Sequence, residues 1–257
     1  VSSVVVASFN VRTSRGLDGR HLWPLRRRVT AATIAGLDAD VVGLQEVRHR
    51  PLRYLRRNLP TYDAVGVGRD DGVDGGEHCS VLFRRERFEV VHHETRWFSD
   101  NPHVAGAVDW GNHPPRIVTL AVLRDHHDGS IVPIANAHLD ARRADLRERS
   151  AVRLTQWLPE VHDGDWVVLG DLNATVDEAP LRALLAYGLS DALSMLPADG
   201  DDAATGHEFT GRHHGRRIDH ILVGAGWSVA EAEIVRSPPA APLASDHWPI
   251  RARLQRR

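Results

Sequence analysis

Several apolar runs in this chain stop at, or lead out of, a residue able to bind a cation or move a proton. Val4–Phe9 runs into Asn10, and Val41–Leu44 into Gln45-Glu46. Ile131–Ala135 ends at Asn136-Ala137-His138, and Trp166–Leu169 at Gly170-Asp171-Leu172-Asn173. Nearer the C-terminus, Arg217-Ile218-Asp219-His220 and Ser245-Asp246-His247 precede apolar runs. Taken singly, each ending reads as a turn or cap, because Asn and Asp close strands by bonding their own backbone. Gathered on one edge of a sheet pair, they would unite Asn10, Glu46, Asp171, Asn173, Asp219 and Asp246 with His138 and His247. Carboxylates and amide oxygens without thiolates suit a hard divalent cation, Mg2+ or Mn2+. Histidines beside it can stabilise an oxyanion or transfer a proton, and an aspartate accepting from an imidazole fixes its tautomer. The set reads as metal-assisted hydrolysis of a phosphate ester.

The elements that must position these residues are short strands and a few helices. Strands are expected at Val4–Phe9, Val41–Leu44, Ala64–Val67, Ser80–Phe83, Ile117–Leu123, Ile131–Ala137, Trp166–Leu169, Ile218–Val223 and Trp248–Leu254. Asp125-His126-His127-Asp128-Gly129 reads as a hairpin loop. Leu22, Leu25, Val29, Ala32 and Gly36 keep helical spacing, with Pro24 in the first turn. Leu146, Ser150, Leu154, Trp157 and Val161 form a second helical stripe, and Ala179–Tyr187 a third helix closed by Gly188. Antiparallel-looking pairs mixed with helices indicate an α/β (α+β) sandwich of two packed sheets covered by helices, in one domain over residues 1–257. The element order permits a pseudo-duplicated layout.

Composition narrows the chemistry. All 32 basic residues are arginine, which excludes enzymes needing a lysine amine: Schiff-base, pyridoxal-phosphate and P-loop chemistry. The single cysteine, Cys79, excludes an internal disulfide framework and multi-cysteine metal sites. A net charge of −2 offers no global field for a polyanion. No apolar run is long enough to span a bilayer. A cytoplasmic monomer is the expectation, with secretion open because the chain starts at Val1.

The motifs stand in the order of a known family. Phe9-Asn10-Val11-Arg12, Leu44-Gln45-Glu46-Val47, Gly76-Glu77, Asn136-Ala137-His138-Leu139-Asp140, Gly170-Asp171-Leu172-Asn173-Ala174, Arg217-Ile218-Asp219-His220-Ile221 and Ser245-Asp246-His247-Trp248-Pro249 span nearly the whole chain. The sequence thus resembles the endonuclease/exonuclease/phosphatase superfamily, whose DNase-I-like fold is a four-layer αββα sandwich of two mixed, mainly antiparallel sheets. Gly68-Arg69-Asp70-Asp71-Gly72 and Trp97-Phe98-Ser99-Asp100-Asn101-Pro102 are similar to its small stand-alone bacterial branch.

That resemblance implies Glu46 as the main metal ligand, with Asn10 and Asp246 nearby. Asp171 would orient or deprotonate the attacking water, and Asn173 would position water and phosphate. His247, held by Asp219, would contact the scissile phosphate. His138 would face its other side with Glu77 as hydrogen-bond partner, and Arg116 would bind phosphate, with Asn136 behind the site. Arg12 departs from members carrying a carboxylate there, and Gly215-Arg216-Arg217-Ile218-Asp219 departs from the inositol-polyphosphate branch. The resulting expectation is a Mg2+/Mn2+-dependent phosphoesterase, first a nuclease-like phosphodiesterase, alternatively a phosphomonoesterase on a small metabolite or lipid headgroup. A catalytically silent binding module is the reading from another class.

Other features have quieter readings beside functional ones. Arg48, Arg50, Arg53, Arg56 and Arg57 could grip nucleic acid, but read first as a solvated helix face. Trp97, Phe98 and Trp110 either pack a loop or stack on substrate, with Trp110 the better substrate candidate. The pairs His92-His93, His126-His127 and His213-His214 read as surface or loop, with His214 a candidate substrate contact. Cys79 reads as a small core residue.

Overall fold

The computed structural model describes residues 3–236 and 243–257; Val1, where a processed start is expected, lies outside them. In chain order the elements are β1 (Ser3–Asn10), α1 (Trp23–Gly36), β2 (Val41–Arg48), α2 (His49–Asn58), β3 (Tyr62–Val65), β4 (Glu77–Arg84), β5 (Phe88–Trp97) and β6 (Ile117–Asp125). There follow β7 (Ile131–His138), α3 (Ala144–Val161), β8 (Val167–Asp171), α4 (Ala179–Ala186), β9 (Ser190–Asp191), β10 (Asp199–Gly200), β11 (Gly215–Arg216), β12 (Asp219–Val223), β13 (Trp227–Ile234) and β14 (Ile250–Arg256). Among the described residues no helix is long and apolar enough to cross a membrane.

Two six-stranded sheets run β13-β14-β1-β2-β4-β3 and β5-β6-β7-β8-β12-β9. Each has one parallel pair, β1–β2 or β7–β8, in an otherwise antiparallel array. The crossover helix is α1 in the first case and α3 in the second, and α2 and α4 follow equivalent strands. The two halves thus share one connectivity, with the C-terminal hairpin β13–β14 taking the place that β5–β6 takes in the second sheet. The pseudo-duplication admitted by the element order is present in the fold.

Strand alternation sorts the side chains into layers. Val4, Val6, Val41 and Val81 of the first sheet meet Leu123, Ile134, Leu169 and Ile221 of the second, forming the inter-sheet core. The intervening Val5, Ala7, Phe9 and Leu44 face Ile34 of α1 and Leu55 of α2. On the opposite side, Val118, Ala135 and Val168 face Leu154 and Trp157 of α3 and Leu181 of α4. Four layers, αββα, result, as in the DNase-I-like fold. Cys79 is buried in β4, as its small apolar character suggests.

Two expectations need correction. In α1 the apolar stripe through Leu22, Leu25 and Val29 is largely exposed, Leu25 at 58%. The buried face carries Arg26, Thr30, Ala31 and Ile34. Arg26 wins the inner position because its guanidinium donates to the carbonyls of Val11, Arg12, His21 and Ala244, which no aliphatic side chain could satisfy. The edge strand β5 and strand β13 are also unforeseen. Their faces are largely exposed, so Glu, His and Arg replace the apolar run that marks an inner strand. His92 and His93 lie on β5 and remain exposed.

One polar contact sits inside the sandwich. Asn136 of β7 donates from Nδ2 to the carbonyls of Leu44 (3.0 Å) and Ser80 (2.9 Å) on the opposite sheet. Its Oδ1 accepts from Gln45 Nε2 at 2.6 Å. Gly43 makes room: a Cβ there would lie 2.8 Å from Asn136 Oδ1. Gly43→Ala should therefore destabilise the protein by about 1–3 kcal/mol, read from urea denaturation. In an Asn136→Ala background the same change should cost much less; additive costs would show that the glycine does not serve the amide.

Candidate active site

Parallel strands end on the same edge, so β1, β2, β7 and β8 deliver their C-terminal residues together. The registers pair Asn10 with Gln45, His138 with Asp171 and Asp219 with Asp171. In β2 the ladder to β4 slips between Leu44 and Val47, and Glu46 at this bulge has a φ of 58°. The bulge turns the carboxylate towards the strand-end edge. Arg12 (φ 58°) and Asn173 (φ 51°) are left-handed too, each with its N–H bonded to the side chain two residues earlier, Asn10 and Asp171. These turns end the strands and open a cleft of about 470 Å3. Its lining includes Arg12, Glu46, Glu77, Arg116, His138, Asp171, Asn173, Asp246 and His247.

At its floor Asp219 Oδ2 lies 2.8 Å from His247 Nδ1, fixing the ring so that Nε2 faces the cleft. Burial alone would lower the His247 pKa, but the charges of Asp219 and Asp171 raise it well above the usual 6.5, giving an imidazolium. His138 is the opposite case. Burial, with Arg116 and Arg69 nearby, holds its pKa well below 6.5 and leaves a neutral imidazole. Both Nε2 atoms stand off from Asp171 Oδ2, at 3.7 Å for His138 and 3.8 Å for His247. These gaps exceed a hydrogen bond and leave room for an oxygen among the three groups. Burial and the charge of Asp219 push the Asp171 carboxyl up to about 7.

Asp171, Asp219 and His247 are close enough to suggest a cation site. His247 Nδ1 is already engaged by Asp219, and with Asp171 the trio is also placed to handle protons. The donor set for a hard cation lies alongside. Burial and the charge of Glu46 both raise the Asp246 pKa, so two carboxylates bear on each other with Arg12, 3.5 Å from Asp246, as partial compensation. Such oxygen-rich, mutually repelling groups fit Mg2+ or Mn2+. Asn10, expected as a ligand, sits between these groups. Its Oδ1 accepts the Arg12 N–H, and its Nδ2 spans Glu46 Oε1 (3.1 Å) and Asp171 Oδ2 (2.9 Å), orienting both carboxylates.

On the far wall Arg116 is 9% exposed, yet its Nε and Nη1 have no hydrogen-bond partner. Asp140, the nearest carboxylate, is 3.9 Å away and already accepts the Arg142 and Arg143 N–H groups. A buried guanidinium with free donors is a ready anion site. Glu77, expected beside His138, instead pairs with Arg69 Nη1 at 2.6 Å. The correction follows from charge: a carboxylate buried near Glu46 gains more from a guanidinium than from a neutral imidazole.

Two candidate substrate contacts lie elsewhere. Trp110 is buried against α3, its Nε1 donating to Asp100 and its ring covered by the Arg149 guanidinium 4.0 Å away. It packs the loop, as do Trp97, bonded to the Arg69 carbonyl, and Phe98, stacked on Trp157. His214 is exposed in the loop leading into β11, beside Asp201, and does not line the cleft. Unforeseen are Arg69 and Thr205. Thr205 Oγ1 accepts the N–H groups of Ile218 and Asp219 while its carbonyl accepts that of Trp248, tying together the segments carrying Asp219 and His247. No spacing rule singles out such a threonine, since its partners are backbone groups distant in sequence.

Residues 7–247 match the family described as Endonuclease/Exonuclease/phosphatase. Among solved structures, an endonuclease/exonuclease/phosphatase from Bacteroides vulgatus is 31% identical with a TM-score of 0.92, covering 100% of both chains. A mannosyl-6-phosphatase from Bacteroides thetaiotaomicron is 28% identical with a TM-score of 0.90, covering 98% of this chain and 99% of that one. The human Nocturnin catalytic domain, 20% identical with a TM-score of 0.77 over 99% and 95% of the chains, shares the fold. No curated protein matches the chain.

The Asp171 environment has a consequence for stability. Its folded pKa of about 7 lies above the ordinary 3.8, so without metal the folded state holds this proton more tightly than the unfolded chain does. The group therefore destabilises the metal-free protein increasingly as pH rises from about 4 to about 7. Asp171→Asn should raise the urea midpoint in EDTA, and by more at pH 7.5 than at pH 4.5. An equal gain at both values would mean that Asp171 is not held in its neutral form.

Proposed function

The chain belongs to the endonuclease/exonuclease/phosphatase family, and we propose that within it the protein is a divalent-metal-dependent phosphomonoesterase acting on a small phosphorylated hydroxyl compound of the sugar-phosphate class. The buried Arg116 carries this reading, because it lines a cleft of about 470 Å3 while its Nε and Nη1 have no hydrogen-bond partner. Such a volume suits a metabolite. A dianionic monoester end would meet Arg116, the His247 imidazolium and a cation. The likeness to a mannosyl-6-phosphatase at 28% identity favours the same class.

The residues divide the work as follows. Arg116, His138 and Asn173 hold the phosphoryl oxygens, His138 as a neutral N–H donor. Asp171, with its pKa near neutrality, takes a proton from the attacking water as the new O–P bond forms and the ester P–O bond breaks, and the departing alkoxide leaves as the alcohol by taking a proton from solvent. His247 faces the phosphoryl group as a cation, its charge sustained by Asp219, and offsets the growing negative charge. A divalent cation held by Glu46 and Asp246 would supply Lewis-acid stabilisation of the phosphate oxygens.

The test is phosphate release from hexose 6-phosphates, run beside supercoiled plasmid in Mg2+ or Mn2+. Release that EDTA abolishes is expected, with the plasmid intact. Asp171→Asn and His247→Ala should each lower kcat by about 10²–10⁴-fold. Glu46→Gln should raise the metal concentration required, and Arg116→Gln should act mainly on KM. Plasmid nicking without monoester turnover would move the assignment to a phosphodiesterase.

A further inference from the structure

The other feature of note is a groove between α2 and the β3–β4 hairpin, about 440 Å3, away from the catalytic carboxylates. Arg53, Arg56, Arg57 and Arg85 line it against a single lining carboxylate, Asp74, which already pairs with His49 at 2.6 Å. Asp63 sits near Arg56 and Arg85, at 3.7 and 3.8 Å, leaving Arg53 and Arg57 without a carboxylate among the described residues. Elsewhere Arg84, Arg124 and Arg251 each lie against an acid, whereas Arg15, Arg48 and Arg50 in the neighbouring depression form no ion pair among the described residues. Cations without an acid are thus gathered on this concave face of α2.

The helix itself argues that this arrangement serves a ligand. In α2, His49, Arg53, Arg56 and Arg57 recur at three- and four-residue spacing on one face, with no acidic residue in the helix. Like charges at these spacings each cost a few tenths of a kcal/mol. His49 and Arg50 also stand in the first turn, where the helix dipole opposes positive charge, and no side chain caps that end. An anion in the groove would relieve the first of these penalties among Arg53, Arg56 and Arg57. Arg53 and Arg57 lie about 6 Å apart along the axis, a separation serving two charged groups better than one. Leu52, Ala64, Val65 and Val73 are its apolar lining, and no Phe, Tyr or Trp lines it to stack on a base.

We propose that this groove is a second, non-catalytic anion site that takes a small polyanion carrying two or more linked phosphates. The site is independent of the cation bound by the cleft, so it can be examined in EDTA without turnover. The probe is tripolyphosphate, titrated calorimetrically at low salt into Arg116→Gln protein, in which the catalytic anion site is weakened. Binding is expected, and adding Arg53→Gln with Arg57→Gln should weaken it about tenfold or more. Removing the same charge through Arg84→Gln with Arg124→Gln should leave the affinity unchanged. With an otherwise native cleft, the Arg53/Arg57 variant should keep wild-type turnover of a small phosphate monoester. Absent binding, an affinity indifferent to Arg53 and Arg57, or an equal loss in the Arg84/Arg124 control would each overturn the proposal. None of these depends on which ester the cleft hydrolyses.

Discussion

The two sheets of this protein can pack only if the interruption that aims Glu46 is itself stabilised. A bulge in β2 breaks the ladder beside Leu44, and Asn136 reaches from the opposite sheet to the Leu44 and Ser80 carbonyls. Gln45, one residue before the bulge, closes the contact by donating to Asn136 and lies 3.1 Å from Ser8 Oγ. A buried amide with all its partners gives the sandwich one register, because sliding either sheet would orphan several polar groups at once. The spacing between the sheets and the aim of the acidic side chain are thus set by the same few atoms.

Around this anchor the cleft sorts its charges by environment. Glu77 is balanced by Arg69, and Asp246 partly by Arg12, while Asp171 lies deep among carboxylates and keeps its proton up to near neutrality. The two imidazoles diverge in the same way, His247 drawn to its charged form above all by Asp219 and His138 kept neutral by burial and arginines. Identical residue types acquire different protonation states because each borrows its potential from its neighbours.

Much of this was visible in the amino-acid order because strand termini advertise themselves. Asn10, Glu46, His138, Asp171 and Asp219 all end or begin apolar runs, and parallel pairing brings such ends to one edge. What stayed hidden depends on partners distant in the chain. Arg26 looks like one more charged residue on a helix until the carbonyls of Val11 and Ala244 are brought to it. Glu77 chooses Arg69 over His138 for electrostatic reasons that spacing does not contain. Trp110 in a Gly/Asn-rich stretch looks like a surface ring, yet Asp100 satisfies its N–H and lets it be buried. Edge strands such as β5 escape notice because their exposed faces need no apolar alternation.

The shared connectivity of the halves makes Asp246 and His247 neighbours with separate allegiances. Glu77 opens β4 as Asp219 opens β12, and Asn10 and His138 close equivalent strands. One acidic edge therefore belongs to each half. The segment before β14 contributes to both: Asp246 lies towards Arg12 and Glu46, and His247 towards Asp219 and Asp171. A single peptide unit carries both side chains, beside the Asn10 amide that already joins Glu46 to Asp171. Inserting one residue there would carry both side chains out of these contacts at once, so one local change would reach the acidic edges of both halves.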